Sequence, residues 1–296
     1  MKSQSWVLIF IVAICAAGVI SFLLLMSMGL FVPDRQTISL GSKIGLVEVT
    51  GSIVSSSPVV DEIVRFGKDD AIKAILVRIE SPGGAVAPAQ EIYEALREVR
   101  LEGKPVVASM GSVAASGGYY VACGADSIVA NPGTLTGSIG VIMNFPNTEE
   151  LFRKIGIDVQ VVKTGEFKDM GSMTRALTPA ERQLVGDLIG DVYDQFVTVV
   201  ATERGLDIEA VKKIADGRVL TGRQAYDLGL VDRLGSYRDA VMLAGELAGI
   251  KGEPAVVKPR KPRISILDLI DDIAGMATSL ASRVAREGVS IEYSLR

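Results

Sequence analysis

Ala114-Ala115-Ser116-Gly117-Gly118-Tyr119-Tyr120 is the stretch from which the rest of the chain is read. An apolar run, Pro105-Val106-Val107-Ala108, and a loop-like Ser109-Met110-Gly111-Ser112 precede it. Val121-Ala122-Cys123-Gly124-Ala125 follows. This order reads as strand, tight turn and helix, with a small hydroxyl residue at the turn. Gly117 and Gly118 let peptide N–H groups approach a ligand with no Cβ in the way. Taken alone, Ser116 has two readings: a helix N-cap, or a nucleophile held out by its turn. The spacing is not the G-x-S-x-G of an α/β-hydrolase elbow.

Outward from this turn, strands and helices alternate. Ile44–Val49 and Ala71–Ile79 are predicted strands, as are Pro105–Ala108 and Ser127–Ala130. Helices are predicted over Val60–Gly67, over Ala89–Arg100 and from about Gly117. A strand every 30 residues or so, with a helix between, points to an α/β fold of parallel units. In such sheets ligands bind at the carboxyl ends of the strands. Two glycine-rich turns fall there: Ser81-Pro82-Gly83-Gly84 and the Ser116 turn. Further on, Thr134–Met143 reads as loop passing into strand and Val159–Val162 as a strand. Thr178-Pro179-Ala180-Glu181 reads as a capped start to a long helix reaching about Arg204. Helices over Asp207–Asp216, Gly222–Leu228 and Tyr237–Ala248 and a strand at Arg218–Leu220 complete the domain.

Composition removes several chemistries. The chain of 296 residues has no histidine, so one chain holds neither a Ser-His-Asp triad nor a histidine-based zinc site. A nucleophilic Ser116 would need Lys, Asp, Glu or a terminal amine as its base, and a Ser-Lys dyad is a known solution. The formal net charge of −4 argues against a nucleic-acid partner. The two cysteines, Cys15 and Cys123, lie in unrelated stretches and do not suggest a disulfide framework. No cofactor or metal site is indicated.

No charged residue interrupts Trp6–Val32. About 20 apolar residues span a bilayer, while a cleavable signal core has about 7–15. The run is therefore read as an uncleaved anchor with Lys2 and the amino terminus inside and the bulk of the chain outside. The domains follow: residues 1–32 the tip and transmembrane helix, 33–43 a linker, 44–250 the catalytic domain. Residues 251–263 read as a basic, proline-containing linker, and 264–296 as an amphipathic helix and tail. That helix would pack on a subunit or its own domain, or lie on a membrane surface.

Four separated motifs, in order, carry a resemblance. Ser81-Pro82-Gly83-Gly84, the run from Ser109-Met110-Gly111 to Ala115-Ser116-Gly117-Gly118-Tyr119-Tyr120, Thr136-Gly137-Ser138-Ile139-Gly140-Val141 and Gly165-Glu166-Phe167-Lys168 resemble the signal peptide peptidase A family of membrane-anchored serine proteases. The likeness runs from about Ile44 to Ala248 and is to the short bacterial form. It implies a crotonase/Clp-protease-like fold of repeated ββα units behind an N-terminal transmembrane helix. It implies Ser116 as nucleophile and Lys168 as general base. Gly84 and Gly117 would supply the oxyanion hole, and Ser138 would orient Lys168. Peptide substrates such as signal peptides and other apolar segments, membrane lipid around the anchor, and a ring of identical subunits follow from the same likeness. So does a place in the bacterial inner membrane with the catalytic domain on the extracytoplasmic side.

A lysine acting as a base must be neutral, and burial brings catalytic lysines down to roughly 7–8. Phe167 and Met170 are apolar neighbours suited to cover such a group. Lys163 is the competing base. Beside peptide hydrolysis stand acyl-CoA chemistry on the same fold and an inactive membrane scaffold.

Overall fold

The computed structural model describes residues 43–258. The anchor and the C-terminal helix expected from the sequence lie outside them. Among the described residues no helix is long and apolar enough to cross a membrane.

Three long strands form the centre: β1 (Lys43–Thr50), β2 (Ile72–Ser81) and β3 (Val106–Ala115). They are parallel, with Leu46 opposite Leu76 and Val77 opposite Ala108. A helix connects each successive pair: α1 (Ser57–Lys68) between β1 and β2, and α2 (Val86–Leu101) between β2 and β3. The serine turn opens α3 (Gly117–Ala122). Two short strands share the far side of β3. Its first half pairs with β4 (Ser127–Ala130) and its second with β5 (Leu135–Gly137), both parallel. Then come α4 (Glu149–Lys154), α5 (Pro179–Arg204), α6 (Ile208–Lys212), β6 (Val219–Thr221), α7 (Gly222–Asp227), β7 (Arg233–Leu234), α8 (Tyr237–Leu247) and β8 (Ala255–Val257). The sheet runs β6-β5-β3-β2-β1-β8, with β4 joined to β3 and β7 joined to β4. Among the described strands only β5–β6 is antiparallel.

Both faces of the sheet are covered, which is why β2 reads as an almost unbroken apolar run. Ile75, Val77 and Ile79 face one core with Ile92, Leu96 and Tyr119. Ala74 and Leu76 face the other, against Ala240, Val241 and Ala244 of α8. The alternation follows from the two-residue period of a strand.

Four expectations need correction. The loop-like Ser109-Met110-Gly111-Ser112 is continuous strand, because Ser109 is buried where Arg78 donates to its hydroxyl at 2.9 Å. The expected strand over Val159–Val162 is irregular and exposed, with no neighbouring strand to pair with among the described residues. In Thr134–Met143 the strand comes first, at Leu135–Gly137, and irregular chain follows. The basic linker contains β8, which lies parallel to β1 at its amino end, with Ile44 opposite Val256.

Candidate active site

The site begins with a bulge. Ile79 pairs with Met110, but Ser81, two residues on, pairs with Ala114. Gly111, Ser112 and Val113 thus crowd opposite Glu80, whose carboxylate accepts the Ser112 N–H at 2.9 Å and the Val113 N–H at 3.1 Å. A Cβ on Gly111 would collide with Glu80 Oε2. The hydroxyl of Thr134 donates to Gly111 O and that of Thr136 to Ala114 O, both at 2.7 Å. A bulge re-aims the strand that carries it, and this one sets the direction in which β3 delivers Ser116.

Ser116 occupies the N-cap position of α3, but its hydroxyl caps nothing. Thr178, Thr221 and Ser236 do cap their helices. Ser56 and Thr148, like Ser116, sit at N-cap positions without a side-chain cap bond, so what the structure shows of Ser116 is that its Oγ is not spent on the helix. Its backbone has φ 53° and ψ −122°, a region that costs a non-glycine residue about 1–3 kcal/mol. Ser138, at φ 49°, is the other non-glycine residue with positive φ among those described. The two are tied through the chain between them: the Ser116 N–H donates to Gly137 O and the Ser138 N–H to Arg218 O, each at 2.8 Å.

Ser116, Ser138, Gly84 and Gly117 line one cavity of about 540 Å³. The first glycine turn is held in place by Ile53, whose N–H donates to Gly83 O at 2.9 Å and whose carbonyl accepts the Ala85 N–H at 2.7 Å. This leaves the Gly84 N–H undirected between them. It stands close to Gly117, since a Cβ on Gly117 would lie 3.4 Å from Gly84 N. A Cβ on Gly83, at φ 102°, would lie 2.7 Å from Gly117 N and 2.9 Å from the Ser116 Cβ. Only glycine lets the two turns meet here. The amides of Gly84 and Gly117 donate to no acceptor among the described residues. Two undirected N–H groups beside a free hydroxyl can bind an oxyanion as it forms.

Lys168 is elsewhere. It is exposed, in a series of tight turns over 164–175, and is not among the residues that line the cavity. Phe167 is 42% exposed, so the apolar cover expected of it is missing within one copy. Ser138 and Lys168 are therefore not brought together in a single chain. Lys163 is committed: its ammonium donates to Glu166 O at 2.7 Å and Asp169 Oδ1 at 2.6 Å.

The cavity wall was not legible as a site. Tyr193 and Phe196 of α5 and Tyr120 of α3 line it, with the Tyr120 and Phe196 rings 5.0 Å apart. Their spacing on α5 signals only a buried face. Asp216 lies at the rim, where bonds from Arg218 hold its carboxyl down at about 2. Cys123, behind the turn, is fully buried, and that burial pushes its thiol up to about 12, so it is no rival nucleophile.

Comparison with known proteins adds to this geometry. Residues 98–251 match the model of peptidase family S49, and residues 37–134 match that of Clp protease. A putative protease of Synechocystis sp. is 44% identical over 249 residues, 80% of this chain and 90% of its own. Protease 4 of Salmonella typhi is 42% identical over 69% of this chain, though the match spans 33% of that protein. A putative signal peptide peptidase SppA of Enterococcus faecium is 34% identical over 76% of this chain and 62% of its own length.

Proposed function

The chain belongs to peptidase family S49, with the serine proteases of the signal peptide peptidase A family, and from this we propose that it cleaves peptide bonds through Ser116 and Lys168. The observation that carries the reading is the Ser116 turn: a strained, uncapped hydroxyl beside two undirected glycine amides in one cavity. The Ser116 Oγ attacks the scissile carbonyl. The Gly84 and Gly117 N–H groups receive the negative charge that develops on its oxygen. A neutral Lys168 takes the serine proton and passes it to the leaving amine, then takes a proton from the water that hydrolyses the Ser116 ester and returns it to the serine oxygen as the carboxylic acid leaves. Lys163 is the poorer base because its ammonium is held by Asp169 and a carbonyl.

Since Lys168 does not line the cavity of its own chain, we infer that a second copy supplies it. The exposed apolar residues of 141–162 support an assembled form, above all Ile142 at 84% and Val162 at 101% exposure. Gly140, Val141 and Ile142 line the cavity without joining a strand. Their backbone is open to an extended peptide that adds as a strand. Val86, Ala89, Tyr193 and Phe196 give the groove an apolar wall, suited to apolar segments such as cleaved signal peptides. The uncharged run Trp6–Val32 supports membrane anchoring, with the catalytic domain outside.

A fluorophosphonate probe tests the core of this reading. It should label the wild-type chain and leave Ser116→Ala unlabelled, with peptide hydrolysis lost in parallel. Full turnover by a folded Ser116→Ala variant would end the assignment.

A further inference from the structure

The turn that carries Lys168 is tied to the long helix of the cavity wall by a single guanidinium. Asp169, next to Lys168 in the chain, accepts from Arg175 Nε at 2.9 Å and from a second Arg175 nitrogen at 2.8 Å. The same guanidinium forks onto Glu181, at 2.8 Å to Oε2 and 2.5 Å to Oε1. Glu181 is only 1% exposed, and its carboxylate also accepts the Thr178 N–H at 2.8 Å to close the capping box of α5. That helix carries Val192, Tyr193 and Phe196 of the cavity wall.

We propose that Arg175 is a positioning residue for the base, fixing the Lys168 turn to the capped start of α5 and withholding Asp169 from Lys168. The inference rests on the reading of Lys168 as base. Two bidentate pairs on one planar group fix direction as well as distance, which a lysine in its place would not do. The charges also balance. Asp169 and Glu181 face Arg175 and Lys163, while Glu166 gives Lys163 only its backbone carbonyl. Lys168 forms no ion pair among the described residues. An uncompensated Asp169 beside it would favour its protonated form. Accordingly Arg175 and then Lys163 hold the Asp169 carboxyl well below the usual carboxylate range.

Arg175→Gln should lower kcat by roughly 10- to 100-fold, as expected for a misplaced catalytic group, with KM within about twofold. The acid limb of kcat/KM should move to higher pH, because a carboxylate short of a cation is left beside the base. Adding Asp169→Asn should return the limb to its wild-type position while the kcat defect stays. A merely structural role would leave the acid limb where it is. Arg175→Lys, which keeps the charge but not the fork, should show the kcat defect with little shift of the limb, and it decides the question if Arg175→Gln does not fold. Lys168→Met serves as the reference. If it is inactive while the folded Arg175 variants keep wild-type kcat and pH profile, the positioning role is wrong. If Lys168→Met is active, the base assignment falls instead.

Discussion

At the scale of single residues the site depends on what is absent. The meeting of the two turns leaves no room for a Cβ at Gly83, where φ is 102° and Gly117 N would be 2.7 Å away. Gly83→Ala should therefore push the Gly84 and Gly117 amides apart. The strain should cost about 1–3 kcal/mol, small enough for most such chains to fold. The loss in kcat should be larger, about 100-fold, since a displacement on the order of 1 Å at a reacting centre has that effect. Thermal unfolding and steady-state kinetics on one preparation separate the two. A variant with wild-type kcat would show that the amides are not used together. Ser116 itself was legible as a turn residue, and the glycines on either side as the reason it is accessible. What the sequence left open was whether its hydroxyl caps α3, and the backbone at φ 53° answers that. The residues also left Lys163 as a competing base to Lys168, and the ion pair that Asp169 makes with Lys163 could not be read from spacing.

At the scale of elements, α5 carries the most consequence. Its start was legible from Thr178-Pro179-Ala180-Glu181, and the capping box is present with Gly205 in the left-handed region at its end. Thr178→Ala should cost about 0.5–2 kcal/mol, and urea titration measures it. The same start should make the fold sensitive to acid. Bonds from Arg175 and the Thr178 N–H bring the Glu181 carboxyl from 4.5 down to about 2. A carboxylate lowered by folding stabilises fully above its unfolded value, and that stability is lost as pH falls through the folded one. Stability should thus decline between pH 4.5 and about 2, and less steeply in Glu181→Gln, which has already given up the charge. Equal slopes in the two proteins would show that the acid loss arises elsewhere. Elements with partners inside the fold were read well, and β2 is the plainest case. Val159–Val162 has strand composition but no partner strand among the described residues, and β8 hides in a proline-containing basic stretch because its pairing is with distant β1. Periodicity reports which residues seek burial; it cannot report which neighbour supplies it.

At the scale of the whole molecule the separation of Lys168 from the cavity becomes a statement about assembly. If each site takes Ser116 from one copy and Lys168 from the next, the interface is heterologous, and repeating it closes a ring when the rotation permits. Two inactive proteins should then complement each other. Ser116→Ala keeps the base and lacks the nucleophile; Lys168→Met keeps the nucleophile and the apolar stem but lacks the base. Neither alone should turn over a peptide. When equal amounts are co-assembled at random, a site is competent only where a Lys168→Met copy precedes a Ser116→Ala copy in the order that shares the groove, so about a quarter of the sites should work. Activity should rise with total concentration, because the competent site is a product of association, and the fluorophosphonate should label only the Lys168→Met chains. Light scattering on the mixture should find the active fraction in the oligomer. Two inactive parents that remain inactive when co-assembled, in a mixture shown to contain hybrid oligomers, would place the lysine and the serine in the same chain. The exposed turn over 164–175 would then have to fold over the cavity of its own copy for catalysis to occur.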